Sequence, residues 1–104
     1  MRPIHLARLD KTRPVLLLTR GGSGERMRRV TVAPITSTAR GIAAEVPLAS
    51  RNGIDHPCAV SIDNVLTIDR TQLGRQIGFL FDDQEPALAA AIAYAFDLDV
   101  PDII

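Results

Sequence analysis

Val30-Thr31-Val32-Ala33-Pro34-Ile35-Thr36-Ser37-Thr38-Ala39-Arg40-Gly41 is the stretch that decides the fold. Its first half is β-branched and apolar, the pattern of a buried strand. Past Pro34 come three hydroxyl residues and then Arg40-Gly41, so a strand from the core ends in a polar, cationic tip. A rigid strand that holds up a loop of hydrogen-bond donors is a common way to build a site. The same composition also describes a plain Ser/Thr turn. Both readings stand until the rest of the chain is considered.

With 104 residues the chain has room for one modest core, and residues 1–104 read as a single domain. Apolar residues make up 46% and aromatics only 4%, so Leu, Ile, Val and Ala carry the packing and disorder is excluded. No apolar run approaches the roughly 18 residues of a membrane span, and Arg2 and Arg8 interrupt any signal-peptide pattern. The expectation is a cytoplasmic protein with no membrane partner. Cys58 is the single cysteine, cannot form an internal disulfide and has no neighbours with metal-ligand spacing. It reads as a small strand residue, and neither metal nor cofactor is expected.

Net charge is zero, but the charges are segregated. Residues 1–51 carry ten Arg/Lys against Asp10, Glu25 and Glu45, for +7, and residues 52–104 come to −7. A chain divided in this way can present one basic face to phosphates. Eleven of the twelve cations are Arg, whose planar fork suits phosphate recognition. Arg richness that merely follows genome composition is the competing explanation.

Upstream of the central stretch, Pro3–Leu9 alternates as an edge strand with Ile4, Leu6 and Ala7 turned inward. His5 falls on its outer face, as a solvated or hydrogen-bonded histidine rather than a base. Asp10-Lys11-Thr12 makes a tight turn, and Arg13-Pro14 leads into Val15–Thr19, a fully buried strand whose first position suits a proline without an N–H. Arg13 is thereby held at the strand mouth. Gly21-Gly22-Ser23-Gly24-Glu25 has three glycines in four residues and reads as a flexible linker. Arg26, Arg28 and Arg29 follow it, either as a solvated face or as a phosphate clamp.

Downstream, Ile42–Leu48 reads as a short half-buried strand with Pro47 at an edge or bulge, and Arg51-Asn52-Gly53 as a hairpin-type turn. His56-Pro57 introduces a strand over Cys58–Ile62, with His56 decorating the turn. Asp63-Asn64 interrupts before the strand Val65–Ile68. Leu73–Leu80 holds two glycines, which speaks for a bent strand packed against another backbone. Leu66, Ile68, Ile77 and Leu80 suit either a subunit interface or the core. Asp82 and Asp83 offer N-caps, Glu85 completes a capping box with Asp82, and Pro86 fits a first helical turn. Leu88, Ala91, Ile92, Ala95 and Phe96 then form one apolar stripe on the only helix. Asp97–Ile104 is an acidic tail with an apolar end. The sum is five to seven short antiparallel strands, curled into a sheet or small barrel, with a terminal helix packed on it.

Six motifs occur in order: Leu9-Asp10; Arg13-Pro14-Val15-Leu16-Leu17-Leu18; Val32-Ala33-Pro34-Ile35-Thr36-Ser37; Asn52-Gly53-Ile54; Asp63-Asn64-Val65-Leu66-Thr67-Ile68; and Leu73-Gly74-Arg75-Gln76-Ile77-Gly78. In that order and at close to that spacing the chain resembles the MazF/PemK (Kid) mRNA interferases, the toxins of toxin–antitoxin pairs. The resemblance spans nearly the whole chain. It implies a mainly β fold with a C-terminal helix, an SH3-like barrel of the CcdB/PemK type, and a two-fold homodimer. It also implies metal-independent, sequence-selective cleavage of single-stranded mRNA, inhibited by a MazE-like antitoxin lying across the RNA groove. Arg13 and Thr36 match the family's catalytic arginine and threonine. Asn64 falls where the family carries an RNA-contacting glutamine, and Ser37, Thr38, Arg28 and Arg40 are further candidate RNA contacts.

Arg13 fits the implied chemistry independently. When a ribose 2′-OH attacks the adjacent phosphate, charge builds on the phosphorane oxygens, and a fixed guanidinium stabilises it. Thr36 can donate to a non-bridging oxygen, but its hydroxyl is too weak an acid to serve as a base. The family's longer first loop is reduced here to Asp10-Lys11-Thr12, so an acid assigned there has no counterpart and the general base is open. A non-catalytic binder is the alternative: CcdB-type gyrase poisons share the fold, and small barrels often serve as interaction modules.

Overall fold

Arg29–Thr36 forms strand β3, with Val30, Val32, Ala33 and Ile35 buried. Neighbouring side chains in a strand face opposite ways, so burial at both 32 and 33 requires cover on both faces of the sheet. The computed structural model, which describes residues 1–20 and 27–99, supplies that cover. The linker reading at Gly21–Gly24, the cation Arg26 and the end of the acidic tail from residue 100 lie outside the described residues.

The other strands are β1 (Arg2–Arg8), β2 (Thr12–Leu17), β4 (Glu45–Leu48), β5 (Cys58–Ser61), β6 (Leu66–Asp69) and β7 (Leu73–Leu80), followed by helix α1 (Glu85–Ala95). The sheet runs β4-β5-β3-β2-β1-β7, with every pairing antiparallel. Strand β3 gives one edge to β2 and divides the other. Arg29 to Val32 pair with β6, and Ile35 and Thr36 pair with β5. That change of partner curls the sheet. One face collects Ile4, Leu16, Ala33, Ile35, Val46, Val60 and Leu80, closed by Leu88 and Ala91 of α1. The other collects Ala7, Val15, Val30, Val32 and Ile68 under Leu17, Leu66 and Leu73. Ile68 and Leu80 are therefore core residues of the chain itself, while Leu66 and Ile77 are half-buried.

Several sequence expectations need correction. β1 is an interior strand, paired with β2 on one side and β7 on the other, because alternation reports which face is buried and not how many neighbours a strand has. Its register with β7 slips around His5; Ile4 and Ala7, three apart and so on opposite faces, are buried in the two separate clusters, while Leu6 is only half-buried. The ring of His5 is satisfied by the Gly74 carbonyl at 3.0 Å. The strand expected from Ile42 begins only at Glu45. The Glu45 carboxylate accepts the N–H groups of Arg40 and Gly41 at 3.0 and 2.9 Å, and Gly41 at φ 68° completes the turn.

The helix start also differs. Asp82 and Asp83 do not cap it and Glu85 makes no capping box with Asp82, since all three carboxylates are drawn to cations. Asp82 meets the N-terminal amine at 2.9 Å, Asp83 receives both arms of Arg51 at 2.8 and 3.1 Å, and Glu85 receives Arg2 at 2.9 and 3.0 Å. A 3-10 turn over Asp82–Gln84 leads in instead, closed by the Phe81 N–H donating to Gln84 Oε1. Phe96 lies beyond the last helical turn and is 56% exposed, outside the packed stripe of Leu88, Ala91, Ile92 and Ala95.

The residues read as a hairpin-type turn form a 3-10 turn, Ser50–Asn52, ended by Gly53 at φ 86°. Asn52 is fully buried. Its Nδ2 donates to the Phe79 carbonyl and to Gln84 Oε1, both at 2.8 Å, and its Oδ1 accepts from the Ala49 N–H at 3.1 Å. This contact allows two backbones to meet. A Cβ on Gly78 would lie 1.8 Å from the Asn52 carbonyl oxygen, and one on Gly53 would lie 2.1 Å from that of Ile77. Of the two glycines expected to pack β7 against another backbone, Gly78 does so against this turn and Gly74 against the Leu6 backbone of β1.

Replacing Asn52 with Ala strands the Phe79 carbonyl, the Ala49 N–H and the Gln84 amide, and costs roughly 2–4 kcal/mol. Thermal denaturation should show a drop of about 10–20 °C for Asn52→Ala. A melting temperature within 3 °C of wild type, by the roughly 4–8 °C that each kcal/mol commands, contradicts this role.

Candidate active site

The β2–β3 ladder pairs Leu17 with Val32, Leu16 with Ala33 and Val15 with Pro34. Continued by two residues, that register sets Arg13 opposite Thr36. Thr36 also pairs with Ala59 of β5, which brings Cys58 and the residues before it alongside. Between these strand ends lies a depression of about 350 Å³, within the range of ligand clefts. Lys11, Thr12, Arg13 and Pro14 form one wall, Ile35, Thr36, Ser37 and Thr38 another, and Ile54, His56 and Cys58 the third.

The charge in this lining is positive. Lys11 and Arg13 contribute cations, and among the described residues no carboxylate lines the cavity. Asp10, immediately outside, holds Arg13 by a two-armed contact, Nε to Oδ1 at 3.0 Å and Nη2 to Oδ2 at 3.1 Å. The guanidinium and, to a lesser extent, the Lys11 backbone N–H pull the Asp10 carboxyl down to about 2. Asp10 therefore orients Arg13. Among the described residues Arg13 Nη1 makes no further hydrogen bond, so that edge of the fork remains for a ligand.

Thr36 Oγ1 accepts the Thr38 N–H at 3.1 Å and shares a 2.9 Å hydrogen bond with Thr38 Oγ1. With the Thr38 hydroxyl as donor, Thr36 keeps its own O–H for a ligand oxygen. Thr38 thus braces Thr36. Cys58 is buried, and burial followed by the nearby charge of Asp55 pushes its thiol upward, which keeps it protonated and unreactive.

The sequence-predicted residues do not all gather here. Arg13, Thr36, Ser37 and Thr38 line the depression; Asn64, Arg28 and Arg40 do not. Asn64 sits on the 3-10 turn Ile62–Asn64, donating to Ser61 Oγ at 2.7 Å. Arg28 precedes β3 at the end opposite Thr36, eight residues or roughly 25 Å away. Arg40 is exposed on the turn closed by Glu45. Arg2 and Arg51 are bound to the helix start, so the basic half does not present one continuous face. His56, expected as turn decoration, stands in the cavity wall. Its only sequence signal was position: it lies two residues before Cys58, which leads into the strand beside Thr36. Among the described residues no three His, Cys, Asp or Glu side chains converge as metal ligands would.

The chain is similar to known proteins. The sequence model of the family described as PemK-like, MazF-like toxin of type II toxin-antitoxin system matches residues 4–96. The chain is 60% identical over 99 residues to Endoribonuclease MazF3 of Mycobacterium tuberculosis strain H37Rv, covering 95% of this chain and 96% of that one. Among solved structures it is similar to the Mycobacterium tuberculosis toxin MazF-mt6, with a TM-score of 0.93 and 58% identity over 95% of this chain and 100% of that one. A mycobacterial endoribonuclease in complex with its cognate antitoxin shares the fold at 21% identity, with a TM-score of 0.83 and 95% of each chain covered.

The Asp10–Arg13 pair has a titration signature. A carboxyl lowered in the folded state contributes stability above its ordinary value of 3.8, and that contribution is lost as pH falls towards 2. NMR titration of the Asp10 carboxyl should give a midpoint near 2 in wild type, returning towards 3.8 in Arg13→Ala. A midpoint unchanged by that substitution would mean that the guanidinium does not hold the carboxylate.

Proposed function

The chain belongs to the PemK-like, MazF-like toxins of type II toxin–antitoxin systems and is an endoribonuclease, and from that premise we propose how it cuts. Single-stranded mRNA enters the cationic depression without a metal. The ribose 2′-OH attacks the adjacent phosphorus in line, leaving a 2′,3′-cyclic phosphate on one fragment and a 5′-OH on the other. The observation that carries this reading is that Arg13 and Thr36 line one cavity in which, among the described residues, no carboxylate takes part.

Negative charge on the non-bridging oxygens grows as the phosphorane forms. The free Nη1 edge of Arg13 meets that charge, with Lys11 adding a second cation, while Asp10 fixes the guanidinium before substrate arrives. Preorganised donors of this kind contribute about 3–4 kcal/mol of transition-state stabilisation. Thr36, braced by Thr38, donates to another non-bridging oxygen, and Ser37 stands beside it. Arg28, Arg40 and Asn64 lie away from the cavity and are assigned to flanking nucleotides, the arginines on phosphates and the amide on a base edge.

The remaining family properties belong to the same proposal. The whole chain acts as one domain, works in the cytoplasm where mRNA is translated, pairs into a two-fold homodimer, and is silenced by a MazE-like antitoxin segment laid across the RNA groove. A CcdB-like gyrase binder is the disfavoured alternative, because a binding module has no use for an oriented guanidinium facing a braced hydroxyl.

Purified protein in EDTA should produce discrete cuts in a long single-stranded RNA. Arg13→Ala and Thr36→Ala should each lower the rate by about 10²–10³-fold, the usual loss when one oxyanion donor is removed. Equal cutting by all three proteins would identify a contaminant. A stable gyrase complex without RNA cleavage would favour the binder.

A further inference from the structure

Attack by a 2′-OH needs a group that removes its proton, and none of the residues so far assigned can do so. Asp10 lies outside the lining with both carboxylate oxygens on the Arg13 guanidinium, Thr36 is too weak an acid to exist as an alkoxide, and the Cys58 thiol is buried. Arg13 and Lys11 are cations suited to phosphate. Of the titratable side chains in the described lining, His56 remains.

We propose that His56 is the general base of the cleavage reaction, its imidazole accepting the 2′-hydroxyl proton at the wall shared with Arg13 and Thr36. This rests on the reading of the cavity as the RNA-cutting site. His56 Nδ1 lies 2.6 Å from Asp55 Oδ1. The Asp55 carboxyl is held below its ordinary value, first by its hydrogen bond to this ring, so it is ionised and can only accept. Nδ1 must therefore carry the hydrogen in the neutral ring, which leaves Nε2 as a lone-pair acceptor. Asp55 also stabilises the imidazolium once the proton arrives. The ring remains half-exposed, with 53% of the side chain accessible, so a substrate hydroxyl can reach it. Pro57 follows directly and Cys58 begins β5, tying the ring's backbone to the strand that pairs with Thr36.

The step balances. As the O2′–P bond forms, the 2′ proton passes to Nε2 and the P–O5′ bond breaks with its electron pair moving to O5′. That oxygen takes a proton from water, and the imidazolium returns one to solvent. The charged and titratable groups around His56 are Asp55 on its own loop, Lys11 and Arg13 on the β2 wall, and Cys58 on β5.

The test uses the full chain, a long single-stranded transcript to map a cut, and a short oligonucleotide spanning it. His56→Ala and His56→Gln should lower the cleavage rate by about 10²–10⁴-fold, the range for loss of a general base. Affinity for the oligonucleotide with a 2′-deoxyribose at the cut should stay within twofold. The wild-type rate should rise with pH as the base loses its proton, and that dependence should vanish in His56→Gln. Replacing the bridging O5′ with sulfur, a better leaving atom, should leave the His56→Gln deficit intact. Cleavage by His56→Gln within threefold of wild type overturns the assignment, as does rescue by the sulfur substrate, which would make His56 an acid. Wild-type protein that cuts no RNA instead removes the endoribonuclease reading, and this inference falls with it.

Discussion

Strand β3 has to satisfy more neighbours than a strand has edges, and the molecule follows from how it does so. One edge is committed to β2; the other is shared by β6 along its first half and β5 at its end. Both faces are consequently covered, which accounts for the nearly unbroken apolar run through Val30, Val32, Ala33 and Ile35. The same division sets where the strand ends. Thr36 emerges with β2 on one side and β5 on the other, so residues distant in sequence meet at its tip.

The charge asymmetry of the chain is used twice. Its acidic half contributes carboxylates to fasten the helix start, where Asp82, Asp83 and Glu85 take the amino terminus, Arg51 and Arg2. Exposed and half-exposed pairs of this kind contribute little net stability, so they register the helix more than they stabilise it. The buried Asn52 amide acts more strongly, because its partners have no water to turn to. The cations left over are not spread evenly. Lys11 and Arg13 reach the depression, while Arg28 stands at the far end of β3.

Within the depression, two carboxylates outside the cavity govern two groups inside it. Asp10 holds a guanidinium and Asp55 holds an imidazole, each by a short contact that fixes direction. Neither acid is among the lining residues, so the described lining keeps its positive charge. The chain thus orients its cavity from the rim, and the shortened first loop performs with Asp10 a positioning task that does not require a longer one.

The residues themselves were enough to establish the mainly β class, the terminal helix and the positions of most strands, since these depend on periodicity and β-branched content, whereas the link between Arg13 and Thr36 came from the family resemblance. Strand neighbours, helix capping and the depth of Asn52 were not legible. Asp82 and Asp83 look like caps in any local reading, and only Arg51 and the chain's own amino terminus, brought close by the fold, draw them away. His56 looked like a turn residue for the same reason. Its place beside Thr36 is set by the β3–β5 register, a long-range pairing that leaves no mark on the residues flanking either partner.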